Sequence, residues 1–377
     1  MSGYRAESCA IKNLDEIRQE WESLQQRADC SFFQSWGWIG TWLELLVNDL
    51  EPVLIKIWFE DEIVGMGVFV PRQISRRGVF HSSAMFLHEY PFDSRNMVIE
   101  YNGYLADKEH EQAVCTETNN YLLKTFHDTA EFFFGGVSEH EKAKLSQAIG
   151  DAEQVNIKVL EQSLTFSVEL DAFDPDVNAF LGTLSKNRRA QIRRSIQLYE
   201  DNSGALEIIE AQTVEEALIF FDGLKAFHTE RWQNKGEAGS FSNTRWEAFH
   251  LALIQDRFDE GEIQLLKIVS HSTEIGYLYN FVWRKHVYVL QTGFETPSDK
   301  RLMPGYVAHV MAIVHNNSQG MSVYDLMHGD SLYKRMLCDH SQTLYWLVLQ
   351  RHRLKFVVEE LAVSIVRGLK HLTKKKD

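Results

Sequence analysis

Two stretches 211 residues apart share one local design, and no other feature constrains the fold as tightly. "VLIKIWF" and "EIVGMGVFV" (53–59 and 62–70) are apolar runs rich in β-branched residues around a polar turn, the pattern of a β-hairpin. "QLLKIV" and "IGYLYNFVW" (264–269 and 275–283) repeat it. Laying residue n on n+211 without gaps matches Leu54 to Leu265, Lys56 to Lys267, Ile57 to Ile268 and Gly65 to Gly276. Ile55/Leu266 and Val64/Ile275 are conservative pairs. The elements around both hairpins run in the same order, so the chain reads as two like halves. Its 377 residues suit two cores. The join is placed near Glu161–Asp171, giving domains 1–165 and 166–350 and a tail, 351–377.

Periodicity supplies the remaining elements. Glu16–Leu50 reads as helix, with Trp38, Trp42 and Leu45 at i, i+4 and i+7. Strands at Val79–Leu87 and Met97–Tyr104, a helix at Glu111–Phe126, the strand Glu131–Val137, a helix after Glu139 and the strand Ser163–Leu170 complete the first half. In the second, helices over Val177–Tyr199, Val214–Gln233 and Thr244–Phe258 precede the hairpin. The strand "HVYVLQTGF" (286–294), a helix from Pro304 and the strand "SVYDLMHG" (322–329) follow.

Charge and cysteine usage exclude several classes. Net charge is −14, yet residues 351–377 hold 8 Lys and Arg against 3 Asp and Glu, net +5, which leaves −19 on 1–350. So acidic a body argues against general nucleic-acid binding, which depends on neutralised phosphates. Cys9, Cys30, Cys115 and Cys338 stand far apart with no zinc spacing, so neither a disulfide framework nor a structural metal is expected. Met1–Ile11 lacks the regions of a signal peptide, and no apolar run approaches the roughly 20 residues of a membrane span. The expectation is a reduced, cytoplasmic protein. In the basic tail, Phe356, Val357, Leu361, Ile365 and Leu369 fall close to a helical stripe. That stripe suits the inner face of an anionic membrane, a polysaccharide-synthase partner, or docking back on the body.

The chemistry concentrates in residues 300–337. Pro304 stands at or near the first position of an amphipathic helix, where free amides suit an anion. Lys300 and Arg301 just upstream are placed to pair with phosphates, and Gly305 keeps a Cβ out of the way. Strand, helix, strand in this order gives a right-handed parallel crossover. Ligands in open α/β sheets gather at the carboxyl ends of such strands. Asp325, His328, Asp330, Tyr333 and Lys334 fall there. A carboxylate or imidazole can take a proton from an acceptor, and a phenol can give one to a leaving thiolate. The rival reading has Asp330 capping a helix and Tyr333 packing in the core.

Two further segments carry candidates. In "SKNRRAQIRRS" (185–195), Arg188 aligns with Ile192, Ser195 and Tyr199, the side facing the protein, while Lys186, Arg189 and Arg193 share another. Arg188 is therefore the inward anion contact. In "FHTERWQNKGEAGSF" (227–241), His228 and Arg231 share a helix face before a glycine-bearing loop able to fold over a substrate. The rival for His228 is a buried, satisfied histidine.

Taken in order, "FFQSWGWIGTW", "KNRRAQIRRS", "FHTERW", "IGYLYNF…VYVLQTGF", "PGYVAHV" and "YDLMHGDSLYK" resemble the Gcn5-related N-acetyltransferase (GNAT) branch associated with bacterial cellulose and exopolysaccharide biosynthesis. That branch is similar to the Fem-type peptidoglycan aminoacyltransferases, which have two GNAT-like halves. The resemblance runs from about Phe32 to Lys334. It implies an α/β (α+β) fold of two GNAT-like domains, each a mixed, mostly antiparallel sheet flanked by helices. It implies acyl transfer from acyl-CoA, acetyl-CoA in first place, to an amine or hydroxyl of a small-molecule or saccharide acceptor, with no metal. The diphosphate maps to Lys300, Arg301, Pro304 and Gly305, and the general acid to Tyr333, with a base among Asp325, Asp330 and His328. Arg188, Arg189, Asp325, Gly329, Tyr333 and Lys334 stand at recurrent positions of the branch. Acceptor-side residues are Arg188, His228, Arg231, Gln291 and Lys334. The usual loop, Gln/Arg-x-x-Gly-x-Gly/Ala, is absent, because Pro304 stands third after Arg301 and only Gly305 can serve. Two alternatives therefore stay open: an aminoacyl-tRNA-dependent Fem-like transferase, and a non-catalytic scaffold in a polysaccharide-synthesis complex.

Overall fold

The duplicated residues become equivalent cross-strand partners. Ile57 pairs with Gly65 in the first hairpin, and Ile268 with Gly276 in the second. The computed structural model describes residues 3–46, 51–76, 78–89, 99–150, 155–271, 273–359 and 361. The first half runs β1 (Tyr4–Ala10), α1 (Leu14–Gln25), α2 (Trp36–Leu46), β2 (Val53–Phe59), β3 (Glu62–Arg76), β4 (Phe80–Leu87), β5 (Leu105–Ala106), α3 (Glu111–Thr125), β6 (Glu131–Ser138), α4 (Glu139–Ile149) and β7 (Val155–Glu169). Two helices, α5 (Val177–Thr183) and α6 (Lys186–Ser203), lead to the second. It runs β8 (Leu206–Glu210), α7 (Val214–Asn234), α8 (Thr244–Arg257), β9 (Ile263–Ser270), β10 (Thr273–Trp283), β11 (His286–Phe294), α9 (Pro304–Ser318), β12 (Val323–His328), α10 (Leu332–Leu337) and β13 (His340–Arg351).

Among the described residues thirteen strands form one mixed, mostly antiparallel sheet, ordered β1-β2-β3-β4-β6-β13-β7-β12-β11-β10-β9-β8, with β5 on β3. The order is nearly a palindrome, and its centre is an exchange. β7, which ends the first half, pairs with β12 of the second. β13, which ends the second, pairs with β6 of the first, and the two exchanged strands pair with each other. The 165/166 boundary thus falls inside β7. An aromatic cluster forms the second bond between the halves: Phe32 stacks on Phe281 at 4.4 Å, and Trp38 meets Phe249 edge-on at 4.8 Å. All four rings are buried, each worth roughly 1.5–3 kcal/mol.

Several expected elements differ. The helix foreseen over Glu16–Leu50 is two, because Ser31 and Gln34 form a reciprocal capping box between them; residues 47–50 lie outside the described residues. Val177–Tyr199 is broken at Leu184–Ser185, where α5 stops and Ser185 stands at the N-cap of α6. Of the strand foreseen at Met97–Tyr104, residues 97 and 98 lie outside the described residues. Residues 99–104 are irregular, with an isolated bridge from Asn102 to Val137. Ser163–Leu170 is the end of the longer β7, and β1, β8 and β13 were not foreseen. The tail helix is described only at 354–359 and 361; the rest of that expectation lies outside.

Leu347, buried in β13 opposite Phe134 of β6 and Val159 of β7, tests the exchange. Leu347→Ala is expected to cost about 2–5 kcal/mol. Calorimetry should show both halves melting together at a lower temperature. Two separated transitions, only one of them moved, would contradict a joint core.

Candidate active site

β11 and β12 run parallel but pair only over His286–Tyr288 with Val323–Asp325. Beyond that point β11 continues without its neighbour, and a cavity of about 520 Å³ opens there. Thr292 and Phe294 of β11, Pro304, Gly305 and His309 of α9, Arg231 of α7 and Tyr333 of α10 line it. Helix α6 braces the rim. Its buried face is Ile192, Ser195 and Tyr199. Ser195 Oγ accepts the Met303 N–H at 2.9 Å, fixing the start of α9. The Tyr199 hydroxyl donates to Glu295 at 2.7 Å, just past β11. Arg188, on the same line of the helix, donates to the Met336 carbonyl at 3.2 Å, near the end of α10. One helix face therefore ties down three walls.

Tyr333 stacks on His309, with centroids 5.5 Å apart and planes 12° from parallel. Burial pushes the phenol up to about 12, and the nearby Arg231 guanidinium opposes the rise. His309 Nδ1 lies 3.0 Å from the Tyr324 hydroxyl. Its buried Nε2 has no hydrogen-bond partner among the described residues. Burial, aided by the Lys334 charge, lowers this imidazole to about 3, so it is neutral at physiological pH.

At the start of α9, Tyr306 and Val307 N–H groups both donate to the Met303 carbonyl, at 3.0 and 3.1 Å. Pro304 has no N–H, which leaves Gly305 as the first-turn amide for a ligand. Pro304 and Gly305 thus meet the cavity. Lys300 and Arg301 do not: both are exposed, and Arg301 is held by Asp299 at 2.6–3.0 Å. Lys235 and Arg231 are the basic residues on the wall instead.

The acid and base candidates separate. Asp330 forms a two-pronged exposed ion pair with Arg335, which holds its carboxyl below the usual range. Asp325 is buried, with 1% of its surface exposed. It accepts from the Tyr101 hydroxyl and, at 2.6 Å, from the Met327 N–H, and lies 3.2 Å from His286 Nε2. His328 Nδ1 meets Glu100, and its backbone N–H donates to the same carboxylate at 2.8 Å. Lys334 Nζ donates to the carbonyls of His328 at 2.5 Å and Met327 at 3.1 Å; burial lowers its pKa. His228 is buried against Trp232 and Phe241, and burial with the Arg231 charge lowers it to about 4. Gln291 donates to Ser240 Oγ at 3.2 Å. Sequence reasoning overlooked Glu100, Tyr101, His286 and His309. Glu100 and Tyr101 belong to the other half, so no local pattern marks them, and His309 lies in the interior of a helix whose sequence points to chemistry only at its start.

The corresponding place in the first half is filled. β4 and β6 pair over Ala84–Phe86 with Glu131–Phe133, and then residues 99–104 enter the gap. Buried Asn102 donates its backbone N–H to the Gly136 carbonyl at 3.2 Å and its side-chain amide to Leu87 O at 3.0 Å, and its Oδ1 lies 3.0 Å from His88 Nδ1. Gly136 has φ +62°, and a Cβ there would sit 2.2 Å from Ile99 O. Among the described residues a space of about 10 Å³ lies beside Tyr104, the room of one water at most.

Residues 186–335 match the acetyltransferase (GNAT) domain family. Among solved structures the chain is similar to FemX, at 10% identity and TM-score 0.58 over 90% of this chain and 96% of that one. It is similar to the C-terminal domain of a putative lysylphosphatidylglycerol synthetase from Agrobacterium fabrum, at 11% and 0.54 over 94% and 97%. It is also similar to L-PGS from Bacillus licheniformis, at 10% and 0.52 over 93% and 96%. At such identities the likeness is one of fold: GNAT-like, and shared with Fem-type proteins. No curated protein matches the sequence. Among the described residues no helix is long and apolar enough to cross a membrane, and no group of three or more His, Cys, Asp or Glu could hold a metal ion.

Burial depresses four imidazoles: His88 and His228 to about 4, His250 and His309 to about 3. The unfolded chain therefore binds more protons than the native one below an ordinary imidazole value of about 6.5, and stability falls as pH drops through that value toward 4. His328, raised by Glu100, and the buried carboxyls of Glu89, pushed up to about 8 by burial, and Glu141, also raised by burial, work the other way, and the four imidazoles outweigh them. Urea unfolding should lose several kcal/mol, order of magnitude, between pH 7 and 5. A flat profile over that window would contradict neutral burial.

Proposed function

We propose that the protein is an acyltransferase that moves an acyl group, in first place acetyl, from acyl-CoA to an amine or hydroxyl. The observation that carries this reading is the cavity between β11 and α9, whose wall includes both Gly305 and Tyr333. The GNAT domain match over 186–335 supports a transferase. In this reading the Gly305 N–H and the start of α9 face the diphosphate, and Arg231 and Lys235 supply the positive wall. Lys300 and Arg301 are exposed and off the cavity wall; the surface pair of Arg301 with Asp299 is weak enough to exchange for a phosphate.

As the acceptor attacks the thioester carbon, the C–S bond breaks and the departing sulfur takes the proton of Tyr333. A phenol near 12 giving its proton to a thiolate of ordinary thiol affinity goes uphill by about 5 kcal/mol. The Arg231 charge is already part of that value and holds the phenol down to it, so removing Arg231 would make the transfer costlier, which gives it a role in turnover beyond binding. A base on the acceptor side takes the acceptor's proton, and positioning of the two reactants supplies most of the rate.

The acceptor is placed among saccharides or other small molecules of polysaccharide or cell-envelope synthesis on the sequence resemblance, with residues 351–377 as the contact to a membrane surface or synthase. A second reading, aminoacyl transfer from charged tRNA, draws on the fold shared with FemX across 90% of the chain. RNA co-purifying with the protein would favour it. A scaffold without activity would bind no thioester and pellet with a synthase subunit.

Calorimetric titration with acetyl-CoA and longer acyl-CoAs should show binding, and Tyr333→Phe should bind equally while turnover, followed by thiol release, drops about 10²–10⁴-fold. Absence of binding by every acyl-CoA would remove the leading reading. Unchanged turnover in Tyr333→Phe would remove that residue from the chemistry.

A further inference from the structure

The segment that fills the first half's gap does not end there. Residues 99–104 pass from Asn102, pinned between β4 and β6, to Glu100 and Tyr101, whose side chains reach the end of β12 in the other half. Both sides of this meeting carry left-handed backbone at non-glycine residues, Tyr101 at φ +51° and Met327 at φ +61°. Each such residue costs of order 1–3 kcal/mol, and this kind of strain gathers at functional sites. The bonds that hold it are specific: the Met327 N–H goes to Asp325, the Met327 carbonyl to Lys334, and the Tyr101 hydroxyl to Asp325.

At the centre stands Glu100, buried, with both carboxylate oxygens on one residue. Oε2 accepts the His328 backbone N–H and Oε1 faces the ring Nδ1. A carboxylate accepts and does not donate, so Nδ1 carries the proton and Nε2 is the basic nitrogen of the neutral ring. Nε2 has no hydrogen-bond partner among the described residues, and the His328 side chain keeps 36% of its surface exposed. The other groups facing the ring are Lys334 of α10, Glu161 of β7 and the Trp346 ring of β13, 5.8 Å away. Gly329, at φ +107°, follows at once and starts the turn that brings α10 and Tyr333 to the cavity.

We propose that Glu100 of the first half is a positioning residue for the second half's site, fixing the orientation and tautomer of His328 so that Nε2 takes the acceptor's proton. The chain then has one composite active site rather than two, the first half having exchanged its own donor gap for this arm. The inference rests on the acyl-transfer reading. The acceptor N–H or O–H bond breaks toward Nε2 as the new bond to the acyl carbon forms. The C–S bond breaks with its electron pair on sulfur, which takes the Tyr333 proton, and the imidazolium proton then returns to the phenolate through solvent.

The experiment is a pair of readouts on the full chain. Histidine ¹⁵N NMR of the wild type should show neutral His328 protonated at Nδ1 and titrating above an ordinary imidazole; a neutral form protonated at Nε2 overturns the proposal without any variant. In Glu100→Gln the carboxylate charge that raises His328 is gone, so its titration moves to lower pH. The acidic limb of the kcat profile moves with it, while the plateau falls about 10–100-fold. Glu100→Asp, which keeps the charge, should return the limb toward its wild-type place. A fall in kcat with the limb unmoved, while the NMR titration shifts, would mean that His328 is not the base. Acyl-CoA titration separates the two failures: no donor binding by the wild type ends the transfer reading, whereas normal donor binding with an immobile limb ends only this proposal.

Discussion

Everything in this molecule depends on the exchange of two strands. β13 lies between β6 and β7, so the last strand of each half hydrogen-bonds to the other half along its length. Without β13, the long edges of β6 and β7 would stand open, and β12 would lean on a strand with no support behind it. The walls of the cavity inherit their stiffness from this arrangement, because β12 is held by β7 on one side and by three residues of β11 on the other. The gap that becomes the cavity is the place where that last pairing stops.

Upon this frame, α6 does for the site what β13 does for the sheet. Its buried face meets the start of α9, the end of β11 and the end of α10 through Ser195, Tyr199 and Arg188. A site tied to three elements by one helix resists being loosened at any single point, and reacting groups must be held to within a fraction of an ångström for positioning to matter. The stacked His309 and Tyr333 belong to the same logic. A neutral imidazole against the phenol keeps the pocket uncharged at its base, leaving Arg231 as the nearby charge that acts on the phenol.

Much of the frame was legible. The apolar hairpins, the capped helices and the +211 repeat follow from local patterns, and Ile57–Gly65 with Ile268–Gly276 show that the repeat equates true partners. Tyr333, Arg231, Pro304 and Gly305 do line one cavity, because strand-end and helix-start signals are local too. What escaped depends on contacts distant in sequence. β13 reads as a strand only once β6 and β7 offer it two edges. Asp330 looks free in the sequence, but an arginine five residues on takes both its oxygens. Arg301 is claimed in the same way by Asp299, two residues before it. Glu100 has no signature at all, since its partner His328 lies 228 residues away.

The two halves started from one plan and have diverged in the use of a single gap. In the second, Phe294 and Gly305 line an opening that no other segment among the described residues fills. In the first, Gly136 gives up its side chain so that the Ile99 carbonyl can approach, and Asn102 spends its amide on closing the same opening. Closing it leaves the first half without the opening the second half has, and gives residues 99–104 a rigid anchor. A rigid anchor is what an arm needs to hold a carboxylate against His328 in another half, because a loosely tethered Glu100 would lose side-chain entropy with every encounter. The filled gap and the shared site are thus two consequences of one local packing solution.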